Sequence, residues 1–187
     1  MNIKTLKESL PFLFEANVAT MVTGHHGVGK SQAVKQFVEE MTKKEKTPWG
    51  SVDLRLGTQD VGDLLGLADF ITDPETGQKL ATKFMRPEWF PCDPTSKGVI
   101  FLDELNRARR DVLQAVFQLV LDKRLHRYEL PKGWHVVAAM NPNTDDYIVT
   151  YISDAAFLDR FCHMKLAPSK QEFFDYAKGR KFEDSLI

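Results

Sequence analysis

The sequence predicts an α/β protein built on a parallel sheet, and three stretches carry that expectation. Val18-Ala19-Thr20-Met21-Val22-Thr23 is β-branched and apolar. It runs into a glycine-rich turn, after which Val34, Phe37, Val38 and Met41 fall at helical i, i+3, i+4, i+7 spacing. Val99-Ile100-Phe101-Leu102 is an unbroken apolar run ending in Asp103-Glu104, and His135 to Met140 is another, ending at Asn141-Pro142. Strands buried on both faces of a parallel sheet read as continuous apolar runs, whereas half-buried strands alternate.

In chain order, Asn2 to Leu10 reads as a short helix with Ile3, Leu6 and Leu10 on one side, stopped by Pro11. The first strand and the glycine-rich turn follow, then the helix carrying Val34 to Met41. A basic turn, Lys43 to Pro48, leads to a second strand over Trp49–Arg55. The stretch from Gly57 to Lys97 is long for a connection inside a compact domain, so it should contain structure of its own. Asp60 to Leu67 suits a helical turn or two. Asp73-Pro74-Glu75-Thr76-Gly77 has turn chemistry between Leu67–Thr72 and Lys79–Phe84, which predicts a hairpin. After the Val99–Glu104 strand, Asp111 opens a helix whose Leu113, Val116, Phe117, Val120 and Leu121 form an apolar stripe. Pro131-Lys132-Gly133 is a turn between Arg127–Leu130 and the strand Trp134–Met140. Ser153 and Asp154 are suited to start a helix over Ala155–Arg160. His163 to Leu166 is a last short strand, and Ser169 with Glu172 makes a capping box for a helix ending near Gly179.

The chain has 187 residues, enough for one domain with a substantial core, and its 43% hydrophobic and 27% charged content is that of ordinary globular proteins. A net charge of −1 provides no global field that would draw it to nucleic acid or anionic lipid. The local basic clusters (Lys43, Lys44, Lys46; Arg107, Arg109, Arg110; Lys178, Arg180, Lys181) are of the kind that usually forms solvated helix faces. Cys92 and Cys162 stand far apart in no metal-type spacing, which points to a reduced, cytoplasmic setting. No segment has the apolar length of a membrane span, and the N-terminus lacks a signal-peptide pattern.

The turn itself, Gly24-His25-His26-Gly27-Val28-Gly29-Lys30-Ser31, fits G-x-x-x-x-G-K-[ST], a phosphate-cradling loop. Glycines let the backbone take positive φ and aim its N–H groups inward with no Cβ in the way. A lysine supplies a point charge for β- and γ-phosphates, a hydroxyl can ligate Mg²⁺, and the following helix offers its positive end. The nucleotide-binding stretch is therefore Gly24 to Gln32, with Lys30 also catalytic and Ser31 a metal ligand. His25 and His26 occupy unconstrained loop positions, which explains them better than a metal site does. Strand, loop and helix occur in the order the motif requires, which a chance glycine turn would not provide.

The acidic pair narrows the chemistry. Asp103 stands at the C-terminal edge of a parallel strand, where open α/β sheets place ligand-contacting groups, and suits Mg²⁺. Glu104 is suited to orient and deprotonate an attacking water, which a hydrolase needs and a small-molecule kinase needs less. Asn141 ends the next buried strand and could reach a γ-phosphate or that water, although Asn before Pro is also ordinary turn chemistry.

Together these motifs resemble the AAA+ ATPases, and within them the MoxR-type group. Gly27–Ser31, Asp-Leu-Leu-Gly-Leu at Asp63–Leu67, Phe-Leu-Asp-Glu-Leu-Asn-Arg at Phe101–Arg107, Ala-Ala-Met-Asn-Pro at Ala138–Pro142 and Phe-Leu-Asp-Arg-Phe at Phe157–Phe161 occur in the family's order. The resemblance implies a P-loop NTPase three-layer αβα sandwich, with a parallel five-stranded sheet of order 5-1-4-3-2. It implies Mg²⁺ and ATP as cofactor and substrate, Lys30, Glu104 and Asn141 in catalysis, Ser31 and Asp103 at the metal, and Arg160 as an arginine finger acting on a neighbouring subunit's γ-phosphate. Arg107 is a second candidate for intersubunit contact, Arg55 and Thr58 are candidates to restrain Glu104, and the Leu67–Phe84 hairpin corresponds to an insertion facing a ring pore. Family members continue into a helical lid, for which Ser169 to Ile187 is too short. Residues 1–187 are accordingly expected to be a single core nucleotide-binding domain with the lid absent or truncated, forming a ring (a hexamer in the family) if a lid is supplied. The expected activity is ATP hydrolysis coupled to remodelling of a protein partner. Two alternatives stand beside it: a McrB-like nucleic-acid motor, and an assembly module that binds nucleotide without turning it over.

Overall fold

A computed structural model of the chain describes residues 1–142 and 155–179. Five parallel strands form the central sheet: β1 (Ala19–Thr23), β2 (Trp49–Arg55), β5 (Lys97–Asp103), β8 (Gly133–Met140) and β9 (Phe161–Lys165). Their order is β2-β5-β8-β1-β9. Counting the sheet strands alone, this is 5-1-4-3-2 read from the opposite edge, as expected. Two short antiparallel pairs project from it: β3 (Ala68–Thr72) with β4 (Lys79–Phe84), and β6 (Arg124–Leu125) with β7 (Tyr128–Glu129).

The continuous apolar runs follow from burial on both faces. Alternate residues of the central strands face opposite layers: Met21, Ile100, Leu102, Val136 and Ala138 join one core, while Val22, Val99, Phe101, Val137 and Ala139 join the other. The first core is closed by α3 (Val61–Leu65), α4 (Arg110–Asp122) and α5 (Ala155–Leu158), the second by α1 (Ile3–Glu15) and α2 (Lys30–Glu45). This is the three-layer arrangement. The last element, α6 (Lys170–Gly179), opens with the expected capping box: Ser169 N–H donates to Glu172 Oε2 at 2.7 Å and Glu172 N–H to Ser169 Oγ at 3.3 Å.

Three expectations need correction. Pro11 does not stop the first helix, which runs on to Glu15 with Pro11 inside it. Phe14 is the reason: it is buried, stacks on His135 at 4.1 Å and meets Phe37 edge-on at 5.5 Å, a packing gain that outweighs one missing helical hydrogen bond. Lys43 and Lys44 belong to the last turn of α2, and the chain turns only at Lys46, whose φ is 54°. Leu121 leaves the stripe of α4 and is 43% exposed, while Val112, Ala115 and Leu119 are buried. Ser153 and Asp154 lie outside the described residues.

Within the Arg107, Arg109 and Arg110 cluster, Arg109 pairs with Asp60 at 2.9 Å and Asp111 at 3.0 Å. No helix among the described residues is long and apolar enough to cross a membrane. Nor do the described residues contain a group of three or more His, Cys, Asp or Glu placed to hold a metal.

His135 sits between Phe14 and Trp49, where burial, helped by Lys123, pushes its imidazole pKa down to about 4. An unfolded histidine titrates near 6.5, so between those values the unfolded chain binds more protons than the folded one. The stability that a neutral His135 confers is whole above pH 6.5 and is lost as pH falls through 4. His135→Phe should therefore be destabilised less than the parent on going from pH 7 to pH 4.5, as read from urea midpoints at both values.

Candidate functional site

The sequence places chemistry-bearing residues at the C-terminal ends of β1, β5 and β8, and the parallel register brings these ends together. Thr23 pairs with Met140, and Leu102 with Ala138, so the loops after the three strands leave one edge side by side. Gly24 N–H still donates to Met140 O at 3.3 Å. The chain then turns, with Gly27 at φ 78° and Gly29 at φ 89°, conformations that glycine reaches without strain. At Gly24 the constraint is space, since a Cβ would lie 2.8 Å from Leu166 O.

Lys30 opens α2 with its side chain only 9% exposed. Its ammonium donates to Gly24 O at 2.7 Å, His25 O at 3.0 Å and Asn141 Oδ1 at 2.9 Å. Burial pulls its pKa below the usual lysine value, while the nearby charges of Asp103 and Glu104 push the other way. A cation held by neutral oxygens at the mouth of a glycine loop fits an anion better than it fits its own carbonyls.

Ser31 Oγ donates to Asp103 Oδ2 at 3.0 Å, and Glu104 N–H donates to Asp103 Oδ1 at 2.8 Å, so both oxygens of this carboxylate are oriented. A hydroxyl and a carboxylate beside a phosphate loop are the hard oxygen donors that Mg²⁺ takes. These residues fit that ion.

Glu104 occupies the left-handed region at φ 55°, ψ 40°, an uncommon conformation for a non-glycine residue and one that turns its side chain out of the strand direction. Its carboxylate pairs with Arg107 Nη1 at 3.3 Å. A Cβ on Gly57 would stand 3.1 Å from Glu104 Oε2. Arg107 is therefore engaged within the chain, on the Glu104 carboxylate. The Thr58 hydroxyl donates to Arg55 O at 3.0 Å. A half-exposed ion pair of this kind holds at most about 1 kcal/mol, so Glu104 is easily released.

The loop, the acidic pair and Asn141 thus converge, through contacts spanning 72 and 111 residues of chain. Arg160 does not join them. It lies in the turn before β9, whose Phe161 pairs with Ala19 at the start of β1. That places Arg160 beyond the N-terminal end of β1, at the opposite end of the strands from its own phosphate loop and roughly 20 Å away along the strand.

Two features carried no sequence signal. Asn106 is 2% exposed and binds the backbone of Asn141, a pairing that no motif spacing announces. Beside the loop, Ile3, Val28, Gln32, Gln36, Pro168 and Glu172 line a cavity of about 280 Å³. It is apolar with a few polar groups, as nucleoside pockets are. Gln32 and Val28 lie there, whereas Ile3, Gln36, Pro168 and Glu172 come from elements remote in sequence.

A parallel sheet with a glycine loop, a buried lysine and an acidic strand end at one edge defines an α/β nucleotide-binding domain of the phosphate-loop class. Residues 19–161 match the AAA domain family, dynein-related subfamily, and the chain belongs to that family of ATPase domains. No curated protein matches the sequence. Among solved structures it is similar to a protein from Cytophaga hutchinsonii ATCC 33406 provisionally described as an ATPase, with a TM-score of 0.67 and 18% identity over 97% of this chain. That likeness is one of fold, and the chain spans 51% of that protein's length.

Proposed function

We propose that this domain hydrolyses Mg-ATP and, as a MoxR-type AAA+ module, couples turnover to remodelling of a protein partner. The observation that carries the reading is Lys30 Nζ bridging the phosphate loop to Asn141 Oδ1 at 2.9 Å, next to the Ser31–Asp103 contact at 3.0 Å. Lys30 exchanges its carbonyl partners for β- and γ-phosphate oxygens, and Asn141 hydrogen-bonds the γ-phosphate. Ser31 and Asp103 would hold Mg²⁺, which when bound would supply charge neutralisation at the phosphates. Glu104, released from Arg107, takes the proton of a water attacking the γ-phosphorus. The bond to the β–γ bridging oxygen breaks, giving ADP and phosphate.

Arg160 is assigned to a neighbour's γ-phosphate, a role consistent with its exposed position away from its own loop. In this reading the domain works as part of a ring, expected to be a hexamer, in the cytoplasm. The β3–β4 hairpin, with Leu67 73%, Phe70 50% and Leu80 60% exposed, would meet the client. A net charge of −1 favours a protein client over nucleic acid.

The test is phosphate release per subunit as protein concentration rises. Specific activity should rise for the parent and stay flat and low for Arg160→Ala, with a loss on the order of 10³-fold at the highest concentration. Concentration-independent turnover that Arg160→Ala retains would sink catalysis across subunits.

A further inference from the structure

We propose that Asn106 is a positioning residue that sets the γ-phosphate contact of Asn141, a role resting on the nucleotide reading above. The β1–β8 ladder ends when Gly24 N–H donates to Met140 O, so the Asn141 peptide lies one residue beyond it. Asn141 is only 4% exposed, and Pro142 has no N–H to offer. A buried peptide in that position needs partners from elsewhere. Asn106 supplies both: its Nδ2 donates to Asn141 O at 2.8 Å, and its Oδ1 accepts Asn141 N–H at 3.3 Å.

This two-point pairing pins the peptide units on both sides of the Asn141 Cα, and with them the direction in which the Asn141 side chain leaves. That side chain accepts the Lys30 ammonium at 2.9 Å. Asn106 also sits in the same short turn, Leu105–Arg107, that follows Glu104. One buried amide thus ties the end of β8 to the turn carrying the acid, so the group that meets the γ-phosphate and the group that meets the water keep a fixed relation. Asparagine suits the task because its amide offers both a donor group and an acceptor at this reach. Aspartate keeps the shape but loses the donor. Serine keeps a single short hydroxyl.

A merely structural amide would satisfy the Asn141 backbone and nothing more. The two roles separate on triphosphate preference, defined as the ratio of the dissociation constants of ADP and of β,γ-imido-ATP, each with Mg²⁺, measured by calorimetry. The parent should prefer the triphosphate. Asn106→Asp should lose that preference roughly tenfold while its affinity for ADP changes little, as partners one shell out from a ligand typically do. Asn141→Ala should show the same loss, and the double variant should lose no more than either single one, because Asn106 acts through Asn141. Asn106→Ser provides the same readout should the aspartate fail to fold. A preference retained in either Asn106 variant, additive losses in the double variant, or a parent with no preference would overturn this role. A parent that binds neither nucleotide would overturn the nucleotide reading itself.

Discussion

Replacing Glu104 with glutamine is expected to abolish ATP turnover while leaving ATP affinity near that of the parent. The glutamine has the same size and can still occupy the left-handed position after β5, where the peptide N–H is held by Asp103 Oδ1 at 2.8 Å. What it lacks is a basic oxygen for the proton of the attacking water. General-base removal costs about 10²–10⁴ in rate. The change also breaks the pair with Arg107, but that contact is partly exposed at 3.3 Å and its loss is minor. Phosphate release at saturating ATP, beside calorimetric affinity, checks this. Turnover within threefold of the parent would remove Glu104 from its role.

Lys30→Ala is expected to have its largest effect on binding. Its ammonium stands at the mouth of the loop, and the three oxygens it now holds are all neutral. Truncating a buried charge that pairs with a ligand charge costs about 2–5 kcal/mol. At 1.4 kcal/mol per tenfold, the variant should bind ATP weaker by roughly 30-fold to 4,000-fold. Fold stability should change far less, since removing the side chain leaves Gly24 O, His25 O and Asn141 Oδ1 unpaired but also relieves a desolvated charge. A thermal-shift comparison without nucleotide separates the two effects. ATP binding at parental strength would show that the lysine is not at the phosphates.

The sheet was legible because its strands are buried twice, so Val99 to Leu102 and Val136 to Ala139 carry no polar interruption. The hairpin was legible from turn chemistry: Asp73 Oδ1 accepts Glu75 N–H and Thr76 N–H, closing the predicted turn. Local rules failed where distant packing decides. Nothing near Pro11 shows that Phe14, three residues on, will be pinned by His135. The site divides the same way. Asp103, Glu104 and Asn141 stand at strand ends that the parallel register brings together, and Lys30 and Ser31 open the helix after the glycine loop that leaves the same edge. Asn106, Arg107 and the Ile3–Pro168 cavity depend on turns and side-chain directions that no local pattern encodes. Arg160 was placed by resemblance, and its distance from its own loop follows from the β1–β9 register.

Crystals grown with β,γ-imido-ATP and Mn²⁺ in place of Mg²⁺ test the central claim most directly, because anomalous scattering locates the metal independently of the phosphates. The account predicts a manganese peak bound by Ser31 Oγ with Asp103 facing it, and a γ-phosphate touching both Lys30 Nζ and Asn141. A metal bound elsewhere, or a triphosphate lying away from Lys30, would contradict it.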